Sequence, residues 1–263
     1  MTAPTVALDT DIGEGFGVWG LTDEGPLLDQ VSAANIACGF HAGDPDIIRR
    51  TCTMAAERGV SIGAQVSYRD LAGFGRRFID VPTPSLTNDL VYQIGALQAF
   101  ARIAGTQVTY VKAHGALYNV AAHHEGHARA IVDAVRLVDP TLPVLCQYGT
   151  ELWRLLQDAG LSPCPELFVD RAYTGEGLLV SRGRPGAVLT DPAAAADRAV
   201  RMIVDGVVES IDAETVSITP PAGADLIALC VHSDTPGALD IARETRERLL
   251  DKGITISTIG GTS

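Results

Sequence analysis

The sequence predicts an α/β protein in which seven parallel strands close into a barrel wrapped by helices. Three observations predict it. Apolar runs of strand length alternate with longer amphipathic stretches, the succession that builds a parallel sheet with covering helices. The short runs are apolar throughout, as expected where both faces of a strand are buried. Nearly every run ends in side chains able to do chemistry. A closed barrel brings all such ends to one face, whereas an open sheet gathers only those beside its switch point. With no Gly/Ser/Pro-rich linker and no sequence repeat, residues 1–263 are expected to form one domain.

The first run, 5–8, leads into Asp9-Thr10-Asp11-Ile12-Gly13-Glu14, three carboxylates within six residues. Alternation puts Asp9 and Asp11 on one face, where they bind a cation, pair with a base or share a proton; the alternative is a glycine loop capped by Asp. It is no dinucleotide fingerprint, because Gly13-x-Gly15-x-Gly17 lacks the spacing and the helix context. The second run, 31–37, gives way to Cys38-Gly39-Phe40-His41-Ala42-Gly43-Asp44-Pro45. Gly39 and Gly43 permit positive φ, and Asp44-Pro45 starts a helix over 45–58, leaving His41 and Asp44 at a strand-to-helix turn.

The third run, 60–64, ends at Gln65 and is followed by a loop carrying Gly73, Gly75, Arg76 and Arg77, which suits a carboxylate or phosphate as readily as plain solvent. A helix over 88–104 precedes the run 108–112, where Lys112 and His114 share a face; a lysine ending an apolar strand must meet a charge or a substrate. His123, His124 and His127 at the polar start of a helix over 125–138 are expected at the surface. Runs 143–146 and 166–169, separated by a helix over 151–159, end in Gln147 and in Asp170-Arg171. A helix over 192–205 leads to the last run, 226–231, which ends in His232 and Asp234 before a helix over 235–252.

The formal net charge of -12, spread without an acidic block, argues against a nucleic-acid or anionic membrane partner. No apolar run is long enough to span a bilayer and the start of the chain lacks signal-peptide features, so a cytoplasmic protein is expected. Five widely spaced cysteines without a Cys-x-x-Cys pair imply neither a disulfide framework nor a zinc knuckle, and Cys38, Cys146 and Cys230, each in an apolar strand-like segment, are expected as buried thiols. There is no Walker lysine loop, no Gly-x-Ser-x-Gly elbow and no His-Glu-x-x-His helix.

Five segments together resemble the LamB/YcsF family, the A component of ATP-dependent 5-oxoprolinase, over almost the whole chain. They are Asp11-Ile12-Gly13-Glu14, the stretch from Ser32 to Asp44, Asp70-Leu71-Ala72-Gly73-Phe74-Gly75-Arg76-Arg77, His114-Gly115-Ala116-Leu117-Tyr118-Asn119 and Asp170-Arg171-Ala172-Tyr173. The resemblance implies a seven-stranded β/α barrel similar to the glycoside hydrolase/deacetylase superfamily. It also implies opening of the lactam 5-oxo-L-proline to L-glutamate coupled to ATP hydrolysis, with B and C partner subunits. Four departures stand out: Asp9-Thr10 at the first strand end, Gln65 with Val66, Ser67 and Arg69 in place of His, Pro, Gly and Pro, Ala113 for Pro, and Ser233 for Gly. Glutamine neither transfers protons as a base nor readily binds zinc-like ions.

On this reading His41 or His114 is the general base and Asp11 and Glu14 orient water or a metal, while Lys112 and Arg76 or Arg77 hold a carboxylate or phosphate. Asn35, Asp44, Asn119, Asp170 and Arg171 are expected around the substrate. ATP is the expected cofactor. A divalent metal is either magnesium with ATP or a zinc-like ion held by Asp11, His41 and His232. Two alternatives keep the fold: a stand-alone metal-dependent deacetylase or amidohydrolase, and a non-catalytic carboxylate-binding barrel.

Overall fold

Backbone pairing closes on itself. In the computed structural model, which describes residues 5–21, 23–219 and 224–260, six strands pair in chain order: β1 (Thr5–Ile12), β2 (Ala33–Ala37), β3 (Ser61–Val66), β4 (Val108–Ala113), β5 (Val144–Cys146) and β6 (Pro163–Phe168). A short antiparallel hairpin, β7 (Val207–Glu209) and β8 (Thr215–Ser217), stands outside the barrel. The last strand, β9 (Leu226–Val231), bonds to both β6 and β1 and closes a seven-stranded parallel barrel. The seven strands expected are the seven found.

Eight helices flank it among the described residues: α1 (Glu24–Leu28), α2 (Pro45–Glu57), α3 (Thr83–Ile103), α4 (Gly115–Ala121), α5 (Glu125–Val138), α6 (Glu151–Asp158), α7 (Pro192–Asp205) and α8 (Ala238–Asp251). Their starts follow from local chemistry. Asp44 caps α2 by accepting from the backbone N–H groups of Asp46 and Ile47 at 2.9 and 3.0 Å, with Pro45 at the first helical position. Gly39 and Gly43 take φ of 95° and 79°, as their place in that turn requires. None of the helices is long and apolar enough to cross a membrane.

Several boundaries differ from expectation. β1 runs on to Ile12, so Asp9 and Asp11 lie inside the strand rather than after it. α3 starts at Thr83, since Pro84 falls in the first turn, where no backbone donor is needed. β6 starts at Pro163, and α8 waits until Ala238 because Gly237 takes φ of 80°, outside the helical region. The short α1 and α4 and the β7–β8 hairpin carry no clear periodic signal, and the sequence does not predict them.

Packing separates two compartments. Outside the barrel, Leu8, Ile36, Ile62 and Leu229 meet Leu90, Leu97, Ile131 and Ile241 from the helices in one large core; each such buried side chain contributes about 1.5–3 kcal/mol. Inside, a small cluster of Ala7, Ala33, Tyr110, Leu145, Cys164, Ala228 and Ile259 fills the lower end. Tyr110 lies across the interior because β3 offers Gly63, where any Cβ would overlap the ring. The apolar plug ends there and the polar residues begin. All five cysteines are free and buried, including Cys38, Cys146 and Cys230, where burial is expected.

Candidate active site

The strand pleat turns Asp9 and Asp11 of β1, Asn35 of β2, Lys112 of β4, Glu166 of β6 and Cys230 of β9 into the barrel above Tyr110, and all are buried. The Tyr110 hydroxyl donates to Asn35 Oδ1 at 2.7 Å, and Asn35 Nδ2 donates to Asp9 Oδ1 at 2.6 Å and Asp11 Oδ1 at 3.0 Å. The Lys112 ammonium donates to Asp11 Oδ1 at 2.6 Å and to Cys230 Sγ at 3.2 Å, and stands 3.1 Å from Glu166 Oε1. Three buried carboxylates thus surround one ammonium. They cannot all be ionised, and the surroundings decide which is. Burial raises Glu166 to about 8 and also raises Asp9. Burial opposes the charge of Asp11 too, but Lys112 and the neighbouring imidazoles overcome it and hold Asp11 well below the usual range. The tightest ion pair of the layer is therefore Lys112 with Asp11, and burial favours the protonated form of Glu166. Sequence reasoning passed over Glu166, whose only signal was a carboxylate within an apolar strand.

Next to this layer is a group of imidazoles. His41 and His114 stack at 4.0 Å between centroids, with Glu14 alongside, and all three are buried. The side-chain amide of Gln65 joins them. Its Oε1 lies 3.2 Å from His41 Nε2, and its Nε2 lies 3.0 Å from Glu14 Oε1 and 2.9 Å from His114 Nδ1. His114 Nε2 meets the Phe74 carbonyl at 2.9 Å. The donors and acceptors match when His41 and His114 each carry the proton on Nε2 and the Gln65 amine donates twice. Burial holds His41 well below the usual histidine range and lifts Glu14 to about 7.

One cavity of about 590 Å³ opens above both groups, with Asp11, Lys112, His114 and His232 among its lining residues. His232 Nδ1 donates to Asp170 Oδ1 at 2.9 Å, and the same carboxylate accepts from the Thr235 hydroxyl. Asp170 is fully buried, yet His232 and Thr235 outweigh that burial and keep it below the usual range. A carboxylate on Nδ1 fixes the ring so that Nε2 is its free basic nitrogen. Arg76, Arg171 and Asn119 also line the cavity.

Other expected residues have structural work. Asp44 is the α2 cap and also accepts from the Gly17 N–H at 2.7 Å. Arg77 pairs with Asp70 on an exposed loop and does not line the cavity. Asn35 spends its amide on Asp9, Asp11 and Tyr110 inside the barrel. His127, expected at the surface, is buried, accepting from the Tyr68 hydroxyl at 2.6 Å. The expected metal set of Asp11, His41 and His232 is not gathered, because Asp11 is held by Lys112 and His232 by Asp170. Among the described residues the groups with metal-ligand spacing are Glu14, His41 and His114, and Asp9, Glu166 and Cys230. In the first, the Gln65 amine already donates to two of the three ligand atoms. In the second, the Lys112 ammonium stands beside Glu166 and Cys230. Neither group, so arranged, fits a resident metal ion.

Known proteins share this architecture. The A subunit of 5-oxoprolinase from Streptomyces avermitilis is 53% identical over 252 residues, which are 96% of this chain and 98% of that one. A crystal structure of the lactam utilization protein from Thermus thermophilus superposes with a TM-score of 0.89 at 39% identity, covering 97% of this chain and 99% of that one. The catalytic domain of a peptidoglycan N-acetylglucosamine deacetylase from Eubacterium rectale shares the fold, with a TM-score of 0.51 at 9% identity over 100% of this chain and 91% of that one. The sequence profile of the LamB/YcsF family matches residues 6–263, and the chain belongs to that family.

Proposed function

We propose that this chain is the A subunit of an ATP-dependent 5-oxoprolinase and that its cavity is where the lactam ring is opened. The observation that carries the reading is one cavity lined by an oriented base, His232 on Asp170, together with the Lys112–Asp11 ion pair. The kinship with relatives named as A subunits of 5-oxoprolinase supplies the substrate class. A lactam nitrogen is a poor leaving group, so the amide needs activation. ATP, with its magnesium, supplies it by phosphorylating the amide oxygen in the assembly with the B and C partner subunits in the cytoplasm.

Water then adds to the ring carbon while His232 Nε2 takes one of its protons and passes it to the ring nitrogen. Collapse of the adduct breaks the carbon–nitrogen bond. The second proton follows to give the free amine and an acyl phosphate, and another water releases phosphate and glutamate. Lys112 faces the charge that develops on oxygen. The base role moves here from His41 and His114, because His41 is sealed off from the cavity and both nitrogens of His114 are engaged.

The test is glutamate release from 5-oxoproline by the chain mixed with its B and C subunits, with and without ATP. Glutamate is expected only in the complete mixture, and His232→Gln should lower the rate at least about a hundredfold with the fold kept. A folded, associated mixture without turnover, or a His232→Gln variant within about tenfold of the parent, would sink the reading.

A further inference from the structure

Three guanidinium groups meet at one side of the cavity. Arg76 comes from the loop after β3, Arg171 from the end of β6, and Arg182 from the long loop between β6 and α7, and all three line the cavity. The loop pins Arg171: its Nη2 donates to the Val180 carbonyl at 2.5 Å and its Nε to the Ala187 carbonyl at 3.4 Å. Arg171 is 4% exposed, and none of the ion pairs among the described residues includes it. Its sequence neighbour Asp170 is committed to His232 and Thr235. Burial and the nearby Arg182 and Arg76 charges depress Arg171 to about 10, which places the three cations within one another's fields.

Asp234 is the one carboxylate paired with this group among the described residues. Arg76 Nη2 donates to its Oδ2 at 2.7 Å, and Arg182 Nη2 to its Oδ1 at 3.5 Å. Asp170 beside Arg171 adds a second negative charge, but its oxygens are already taken by His232 and Thr235, and no carboxylate among the described residues pairs with Arg171. A buried guanidinium without a counter-ion is costly, and a planar fork of donors suits an oxyanion.

We propose that Arg76, Arg171 and Arg182 form a phosphoryl subsite that takes a phosphate group, with Asp234 occupying two of the arginines until that group displaces it. Arg182 is absent from every motif that identified the family. The proposal rests on the lactam-opening reading for the identity of its ligand, a lactam phosphorylated on oxygen. It implies that a phosphoryl transfer precedes the step in this cavity.

Calorimetric binding of inorganic phosphate and of 5-oxoproline to the purified chain tests it apart from turnover. Phosphate should bind, and Arg182→Ala should weaken it about tenfold or more, with Arg182→Lys in between. Asp234→Asn, which removes the competing carboxylate, should tighten phosphate binding severalfold, whereas Arg154→Ala on the outer face of α6 should leave it unchanged. No phosphate binding, indifference to Arg182, or weakened binding in Asp234→Asn would overturn the subsite. So would arginine-dependent binding of 5-oxoproline that phosphate does not compete, which would make it a carboxylate site. If phosphate binds with the expected pattern but the complete mixture releases no glutamate, the subsite stands and the lactam reading falls. Normal turnover without the arginine pattern does the reverse.

Discussion

The charged layer inside the barrel and the imidazole group beside it are both buried, yet one is held by an ion pair and the other by the hydrogen bonds of a side-chain amide. In the layer, Asp9, Asp11 and Glu166 compete for Lys112, which pairs most closely with Asp11 while burial pushes Glu166 towards its protonated form. In the imidazole group, Gln65 meets Glu14, His41 and His114 without a formal charge of its own. An ion pair concentrates its stabilisation in a single residue, whereas an amide spreads it over three partners. The first arrangement should fail abruptly and the second by degrees.

The largest expected effect comes from breaking the ion pair. Lys112→Met strips three buried carboxylates of their cation and should cost about 3–5 kcal/mol in denaturant unfolding, part of which Lys112→Met with Asp11→Asn should restore. A loss of no more than about 1 kcal/mol would erase the contrast between the two groups.

Gln65→Leu should cost less, about 1–3 kcal/mol, because it leaves polar atoms unpaired but removes no charged residue. Gln65→His sharpens the comparison by replacing an amine donor with an imidazole lone pair beside Glu14, His41 and His114. Zinc measured on the purified protein should rise from well below stoichiometric in the parent to roughly one per chain in the variant. Equal and stoichiometric zinc in both would show that the Gln65 amide does not keep a metal out.

The smallest effect is a pH slope. Glu166 and Glu14 have folded-state values raised to about 8 and about 7, above the ordinary 4.5, so each favours the folded state at low pH and that contribution is lost as pH rises through those values. His41, depressed below 6.5, acts in the opposite sense only below that pH. Between pH 6.5 and 8 the two acids act without that opposition, and stability should fall as pH rises. Glu166→Gln should flatten the upper part of the slope. An unchanged slope in that variant would mean that Glu166 is already ionised beneath Lys112.

Much of this was legible in the residues. Seven apolar runs, the Asp44-Pro45 helix start and the chemistry at the strand ends point to a barrel with its site at one mouth, and those elements are in place. Less legible were the places where a short signal competes with a stronger one. α4 is hidden behind the Lys112–His114 motif, and the prolines of β6 argue against a strand that the barrel nonetheless closes. We propose His232 as the base in place of His41 or His114, because strand-end position says which side chains reach the mouth, while hydrogen bonds decide which nitrogen is free. His114 is consumed by Gln65 and Phe74, and His232 is oriented by Asp170, which lies 62 residues away in sequence.

The sequence by itself determined the fold class, the family and the inventory of polar residues at the strand ends, because apolar periodicity and local capping act over a few residues at a time. Tertiary structure decided how that inventory is divided. Barrel closure sets Lys112 against Asp11 and Glu166, gives Gln65 three partners, and gathers Arg76, Arg171 and Arg182 around Asp234. These pairings join residues far apart along the chain, and burial sets their charges, so neither can be read from local spacing.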